Sequence, residues 1–346
     1  MSTCSRVQCV SSRDGKLEEK REVGCGTPFH GHACLSAIGL RTVVDFGRAF
    51  FELRFRCRYL ESNGESFQDL FSSLMEKRYP SDFARVRPWG NVGDRKNDGY
   101  LRSRRMMFQS YAPLGMKLAV LKSKISKDFS EALPYWKQHI DVWIFVHNDK
   151  NGLPADVLKL LLDLSAQHNV MAGHWGYEQL LDEFKQLSGA DMAALVGPGP
   201  TLADLVSVRV QEVQSLLQHM VLQPEPLISD VRPVPPHKLQ HNQLSDGSAV
   251  LLKAGMTRAE IVKKYLRGLA DQTRYDKVAA AFRTRYAELK NDGHPPDDIF
   301  AGLQRFVAGD EVASPTQQAA TLAILAFFFE ACEIFERPPD AAGVPS

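Results

Sequence analysis

The sequence predicts an α/β protein in which a mixed sheet is flanked by helices and followed by a small all-α domain. Short apolar strands alternate with amphipathic helices from about residue 82 to residue 187, the pattern of a sheet covered by helices. A segment rich in proline and polar residues, 223–247, then interrupts this pattern. Beyond residue 248 every periodic segment has helical spacing.

The first elements lie between residues 66 and 113. Apolar residues from Phe67 to Met75 recur at helical spacing, and Ser66 is a candidate N-cap. A strand is then predicted in FARVRPWG, a turn in GNVGDRKNDG and a second strand in RRMMFQSYAP. No element is predicted for VVDFGRAFFELRFRCRYL, from residue 43, because its apolar and basic residues follow no clean period.

The following segments complete the α/β pattern. Helices are predicted in LAVLKSKISKDFSEALPYW, LPADVLKLLLDLSAQHN and YEQLLDEFKQL. A buried strand is predicted in IDVWIFVHN and a shorter one in VMAGHWG. The long helix TLADLVSVRVQEVQSLLQHMVL leads to the linker, and a final helix is predicted to start at Ser314 as N-cap with Pro315 in its first turn.

These elements suggest a division of the chain into five parts. The first part contains four of the six cysteines but no CxxC pair, so we expect a leader without a metal site or other function. The second part contains the sheet and the last contains a helical interaction domain. The predicted parts are a poorly ordered leader 1–40, an α/β domain 41–190, a connecting helix 191–222, a linker 223–247 and a helical domain 248–338.

Composition excludes several classes of protein. With 346 residues, 44% hydrophobic residues and a net charge of +1, the chain is neither disordered nor collagen-like nor a disulfide scaffold. The polar N-terminus lacks the apolar core of a secretory signal, so we expect a cytoplasmic protein. The longest apolar run, 319–329, is shorter than the roughly 20 residues that cross a bilayer, so we expect a buried helix and no membrane partner.

The small net charge hides two segments of opposite charge. From Lys77 to Lys127 the balance is +10, and from Glu288 to Asp340 it is −7. Arginines on both strands around the predicted turn would suit a phosphate-binding face, and a solvated basic strand face is the alternative. The predicted nucleic-acid-binding residues are Arg85, Arg87, Arg102, Arg104 and Arg105.

The order helix, strand, GD-containing turn and strand over residues 66–113 resembles the core of the PD-(D/E)xK nuclease-like superfamily, in particular its Mrr-like branch. This resemblance implies a restriction-endonuclease-like fold and a Mg²⁺-dependent DNA endonuclease. In such a site, oxygens at adjacent strand ends hold the metal and a lysine orients the attacking water. By position, the metal ligands would be Asp98 and Gln109, and the helix carboxylate position falls on Gln68.

The chain departs from this superfamily at two positions. Tyr111 stands where the lysine is usual, and Gln68 stands where an acid is usual. A phenol is neutral at pH 7 and cannot replace an ammonium beside a phosphate, although Lys96 or Lys117 could reach the same point. An active nuclease and an inactivated nuclease-like fold therefore both stay open, and GDRKNDG could also be a plain hairpin turn. The candidate catalytic residues are Asp98, Gln109, Lys96, Tyr111 and Gln68.

A second resemblance covers roughly residues 64–337. The strings PHKLQHNQLSDG, LLKAGMTRAEIVKKY, AAAFRTRYAELKNDG and FFFEACEIFE are similar to the C-terminal domain of ABC-three-component systems, and GNVGDRKNDGY with FQSYAP to the effector-side domain that accompanies it. The resemblance implies an effector subunit in a bacterial defence system, with an ABC-type ATPase and a small middle component as partners, beside the DNA that the basic segment and the nuclease resemblance suggest. The acidic helical tail would then be a docking surface.

Other candidates in the sequence are weaker. His147 lies at the end of an apolar strand beside Asn148 and Asp149, where it could face a ligand, but a loop-capping role is more common. The chain contains neither a GxSxG elbow nor a GxxxxGK[ST] phosphate loop. A serine-hydrolase triad therefore has no anchor, and ATP hydrolysis by a phosphate loop is excluded.

Overall fold

A computed structural model describes residues 35–87, 94–115, 117–220, 238–269, 273–309 and 314–338. The chain divides into a unit of residues 1–39 and a unit of residues 40–346, and the second unit contains the sheet and the helical region. The predictions for residues 1–34, including the cysteines, and for the linker up to residue 237 lie outside the described residues.

The sheet contains five strands, β1 (Phe83–Arg85), β2 (Gly99–Leu101), β3 (Met106–Tyr111), β4 (Val142–His147) and β5 (Met171–Trp175). They lie side by side in chain order. β1, β2 and β3 pair antiparallel, whereas β3, β4 and β5 pair parallel. The predicted mixed sheet is therefore confirmed, with a meander at one side and parallel strands joined through helices at the other.

Helices cover both faces of this sheet. They are α1 (Leu35–Glu61), α2 (Gly64–Arg78), α3 (Leu118–Trp136), α4 (Ala155–His168), α5 (Tyr177–Lys185) and α6 (Gly189–Val196). Side chains of β3 and β4 alternate between the two faces, as the period of a strand requires. Met107 and Phe145 pack with α3 and α4, whereas Phe108 and Val146 pack with α1, α2, α5 and α6.

Helix α1 was not predicted from the sequence. Its residues Phe46, Phe50 and Leu53 enter the core of the helical region, while Phe55 and Tyr59 enter the core of the sheet. Because the helix buries two different faces along its length, its apolar residues do not form the single stripe that predicts an amphipathic helix. Ser66 also has a different role from the one predicted, since Asn63 is the N-cap of α2 and its N–H donates to the Ser66 hydroxyl over 3.0 Å.

The remaining part of the chain is helical, as predicted. In place of one connecting helix over 191–222, the end of α6 is followed by two separate helices, and two helices begin within the range predicted as a linker. The helices are α7 (Leu202–Ser207), α8 (Val210–Met220), α9 (Lys238–His241), α10 (Asp246–Met256), α11 (Ala259–Arg267), α12 (Thr273–Asn291), α13 (Pro296–Ala308) and α14 (Pro315–Glu330).

Helix α14 is the centre of the helical region. Leu322, Ile324 and Leu325 are fully buried although they point in different directions around the helix, because α8, α10, α11 and α13 all pack against it. This arrangement explains the apolar run at 319–329 and confirms that it is a buried helix. The predicted start is also confirmed, since the N–H of Gln317 donates to the Ser314 hydroxyl over 3.3 Å.

Candidate functional site

The turn that precedes β2 is stabilised by its own side chains. Asp94 accepts a hydrogen bond from the N–H of Lys96 over 2.8 Å, and Asn97 accepts one from the N–H of Gly99 over 3.0 Å. Arg95 and Lys96 adopt left-handed backbone angles, which are tolerated in turns. A Cβ atom at Gly99 would lie 2.3 Å from the Phe83 ring, so glycine leaves the space that this ring occupies.

Asp98, at the end of this turn, meets two of the other predicted site residues. The Gln68 amide donates to Asp98 Oδ1 over 2.7 Å, and the Gln109 amide donates to Oδ2 over 3.1 Å. The backbone N–H of Ser110 also donates to Oδ2, over 2.6 Å. The structure thus brings Gln68, Asp98 and Gln109 together from α2, the turn and β3.

Burial dominates the electrostatics of Asp98, whose exposed fraction is 3%. Removal of the carboxylate from water raises its pKa to about 6, although the N–H of Ser110 acts in the opposite direction. Among the nearby charges, Asp94 and Asp128 raise the pKa and Lys124 lowers it. Asp98 is therefore mostly ionised at neutral pH and takes up a proton in mild acid.

The two predicted lysines, Lys96 and Lys117, form no ion pair with Asp98 among the described residues. Lys96 lies 3.3 Å from Asp128 and 3.5 Å from Glu131, so its ammonium is held by two acids of α3. Lys117 is exposed at the start of α3, and its ammonium forms no ion pair with the described residues.

A cation beside the predicted lysine position comes from Lys124, which was not among the predicted site residues. Its ammonium lies over the ring of the half-buried Tyr111, 5.6 Å from the ring centre, and 2.7 Å from the fully buried Asp128. Lys124 comes from α3, so its proximity to β3 depends on how the helix packs on the sheet. The spacing of Lys124 and Asp128, four residues apart on one helix, was the only sequence signal for the pair.

The predicted arginines are not all on strands. Arg102–Arg104 form a short 3-10 turn and Arg105 has a left-handed backbone, so the prediction that these residues lie on a strand is wrong. Several of them make contacts within the chain. Arg85 pairs with Asp69, Arg102 donates to the carbonyl of Ser81, Arg105 pairs with Asp141, Arg104 lies over the Tyr79 ring, and Arg87 is exposed after β1.

The residues around Asp98 do not fit a Mg²⁺ ion in this arrangement. Mg²⁺ needs free oxygen lone pairs in an octahedral shell, mostly from carboxylates and waters. Both oxygens of Asp98 instead accept N–H groups, and both glutamines turn their amide nitrogen toward it. The oxygen of Gln109 is buried without a hydrogen-bond partner. Within the described ranges, no three His, Cys, Asp or Glu side chains come together as a metal site.

His147 has the loop-capping role. It is fully buried, and its Nδ1 accepts the N–H of Asp149 over 3.2 Å. Its Nε2 therefore carries the proton and donates to Nδ1 of His174, 3.2 Å away. Burial lowers the pKa of His147 to about 3, so the ring stays neutral.

Comparison with known proteins gives a match for the helical region. Residues 211–336, which contain α8 to α14, match the family model of C-terminal domain 10 of the ABC-three component (ABC-3C) systems. The helical region is therefore similar to a domain that occurs in proteins of these multi-component systems. The sheet lies outside the matched residues. No curated protein and no solved structure matches the chain.

Among the described residues, no helix has the length and apolar character that a membrane crossing requires.

Proposed function

We propose that the chain is the DNA-contacting component of a bacterial defence system, and that its sheet holds DNA without cutting it. The single observation that carries this proposal is that both carboxylate oxygens of Asp98 already accept hydrogen bonds within the chain. Three N–H donors occupy its two oxygens, and both flanking side chains are amides. A metal nuclease needs carboxylate oxygens that are open to the metal and to the scissile phosphate.

Contact with DNA is supported by the charge of the segment around this site. The balance of +10 between Lys77 and Lys127 suits a polyanion. The pairs of Arg85 with Asp69 and of Arg105 with Asp141 lie at the surface, where ion pairs contribute little and can be exchanged for phosphate contacts. Arg104 is exposed, with its guanidinium over the Tyr79 ring.

We further propose that the helical region docks an ABC-type ATPase. The support is the family match over residues 211–336. The acidity of this region contributes less than its charge suggests, because several acids are paired within the chain. These pairs are Asp298 with Arg56, Glu333 with Arg283 and Glu336 with Lys290. The proposal of docking therefore rests on the family match and not on the charge of this region.

The test is a cleavage and binding assay with the full chain, alone and together with the ATPase and middle component of its own locus. Supercoiled, linear and single-stranded DNA are incubated with Mg²⁺ or Mn²⁺, and binding is followed by gel shift. We expect binding without cleavage, and the same binding for wild type and Asp98→Asn. Arg104→Glu should weaken binding about tenfold, since a favourable phosphate contact becomes a repulsive one. The same charge change on α11, Arg267→Glu, is the matched control.

A metal-dependent nuclease is the second candidate, and Lys124 favours it. An ammonium over the Tyr111 ring lies beside the strand position where the superfamily carries its lysine. If wild type cuts DNA in a metal-dependent way and Asp98→Asn does not, the proposal of a component that holds DNA without cutting it is refuted, and the metal-dependent nuclease is the function. If neither cuts and Arg104→Glu binds as wild type does, the contact with DNA through this arginine is refuted.

A further inference from the structure

A cavity of about 400 Å³ lies between the loop after β4 and the helices α12 and α13. Its lining includes Asn148, Lys150, Arg285, His294 and Arg305 together with the apolar Leu289. Small-molecule sites in proteins usually measure roughly 300–1,000 Å³ and combine apolar walls with a few convergent polar groups. The loop at the carboxyl end of a parallel strand is also the usual position of a ligand in an α/β fold.

The polar groups of this cavity include an ammonium without an acidic partner. Lys150 Nζ lies 3.1 Å from Nε2 and 3.3 Å from Nδ1 of His294, and it forms no ion pair with any described residue. A half-buried lysine whose hydrogen-bond partner is an imidazole lacks the ion pair that usually accompanies such a group. This arrangement indicates that the counter-charge comes from a ligand.

Two guanidinium groups face the same cavity. Arg285 pairs with the exposed Glu288 over 2.9 Å, and Arg305 pairs with the exposed Glu61 over 2.6 Å. Such exposed pairs are weak, so both guanidinium groups can turn to a stronger anion. Of the acids in the lining, Asp298 is already bound by Arg56 at 2.5 Å, and Asp149 accepts the N–H of Asn151 over 2.9 Å.

The imidazole of His294 supports the same conclusion. Burial lowers its pKa, and the positive charges of Lys150 and Arg285 lower it further, whereas Asp298 and Asp292 raise it. The ring is therefore neutral at physiological pH in the free protein. An anion placed between Lys150 and Arg285 would cancel their repulsion and raise the pKa of the ring.

We propose that this cavity binds a phosphate-bearing small molecule of mononucleotide size, with Lys150 on the phosphate and Arg285 and Arg305 beside it. Lysine binds phosphate as a point charge, and the planar arginine fork binds its oxygens in pairs. Three cations suit a phosphate monoester, which carries nearly two negative charges at neutral pH. The site is separate from the Asp98 site, and it does not depend on whether the chain contacts or cuts DNA.

The test is calorimetric titration of the full chain with the four ribonucleoside monophosphates, inorganic phosphate and the corresponding nucleosides. We expect at least one monophosphate to bind and its nucleoside to show no binding. Lys150→Gln should weaken this binding at least about tenfold, because it removes the charge at the phosphate. Lys159→Gln, an exposed lysine on α4, is the matched control and should bind as wild type does. Thermal melting of both variants checks that they are folded.

Proton uptake gives a second readout that a merely structural role of Lys150 would not change. Near pH 8 the phosphate is already fully ionised, since its second pKa is about 6. Any proton taken up on binding there must come to a protein group, and titrations in buffers of different ionisation enthalpy measure it. We expect net uptake by wild type and none by His294→Gln. The proposal is overturned if no monophosphate binds, if Lys150→Gln binds as wild type does, or if His294→Gln takes up as many protons as wild type.

Discussion

The side-chain amide of Gln68 donates a 2.7 Å hydrogen bond to Asp98, which joins α2 to the turn before β2. An acid is usual at the position of Gln68 in the nuclease-like proteins that this segment resembles. In this chain the amide instead supplies a donor to a carboxylate that is almost completely buried. The contact stabilises a single negative charge, whereas two carboxylates at the same distance would repel each other unless a cation lay between them.

The change Gln68→Glu therefore tests how close this site is to a metal centre. Without metal, we expect a loss of about 1–3 kcal/mol in unfolding free energy, because a donor is replaced by a like charge beside Asp98. Addition of Mg²⁺ or Mn²⁺ should recover most of this loss, since two carboxylates and the oxygen of Gln109 would then provide ligands. Urea unfolding in chelator and in metal measures both effects.

The matched control for this change is Gln167→Glu, at an exposed position of α4. It should differ little from wild type in chelator and in metal. If Gln68→Glu is equally unstable with and without metal, the three side chains do not have the spatial arrangement of a metal site.

The change Asp98→Asn tests the cost of burying this carboxylate. Its pKa is raised from 3.8 in the unfolded chain to about 6, so folding takes up a proton between these values. Protonation of Asp98 therefore favours the folded state in acid, and this contribution is lost as the pH rises through 6. At pH 7.5 we expect Asp98→Asn to be more stable than wild type by about 2 kcal/mol, and near pH 4 the gain should vanish.

Chemical unfolding at several pH values measures this difference, with the exposed Asp163→Asn as control. A variant that is less stable than wild type at pH 7.5 would contradict the prediction. It would mean that the hydrogen bonds accepted by the carboxylate outweigh the cost of its burial.

The helical region depends on close contact between α10 and α14 at Gly255. A Cβ atom at this position would lie 2.3 Å from the carbonyl oxygen of Leu322 and 3.0 Å from Cβ of Ala326. Gly255→Ala should therefore lower the unfolding free energy by about 2–4 kcal/mol, because backbone cannot move aside as a flexible side chain can. Thermal unfolding of the full chain measures the loss.

Gly247, on the same helix, provides the matched control. A Cβ atom there meets its nearest neighbours at 3.8 and 3.9 Å, which is ordinary contact. Gly247→Ala should be neutral or slightly stabilising, since alanine favours a helix over glycine. Equal effects of the two changes would refute the close approach at Gly255.

Local sequence patterns predicted most elements because their residues bury a single face. The helix Leu118–Trp136 was found on this basis, whereas the strand Val142–His147 was found as a continuous apolar run, which is buried on both faces. Helix α1 was missed for the opposite reason, since Phe50 and Phe55 enter different cores and their spacing predicts neither. The arginines at 102–105 were placed on a strand because sequence alone did not separate the short turn from the strands on either side.

The sequence by itself determined the mixed sheet, the helical region with α14 in its centre, and the candidate trio Gln68, Asp98 and Gln109. Periodicity and turn chemistry are local properties, so they can be read along the chain. Only the tertiary structure decided how this trio is used, because the donors to Asp98 come from two separate elements, α2 and β3. It also brought Lys124 to Tyr111 and Lys150 to His294, residues that lie 13 and 144 positions apart. Such contacts depend on the packing of helices against the sheet, which no local pattern specifies.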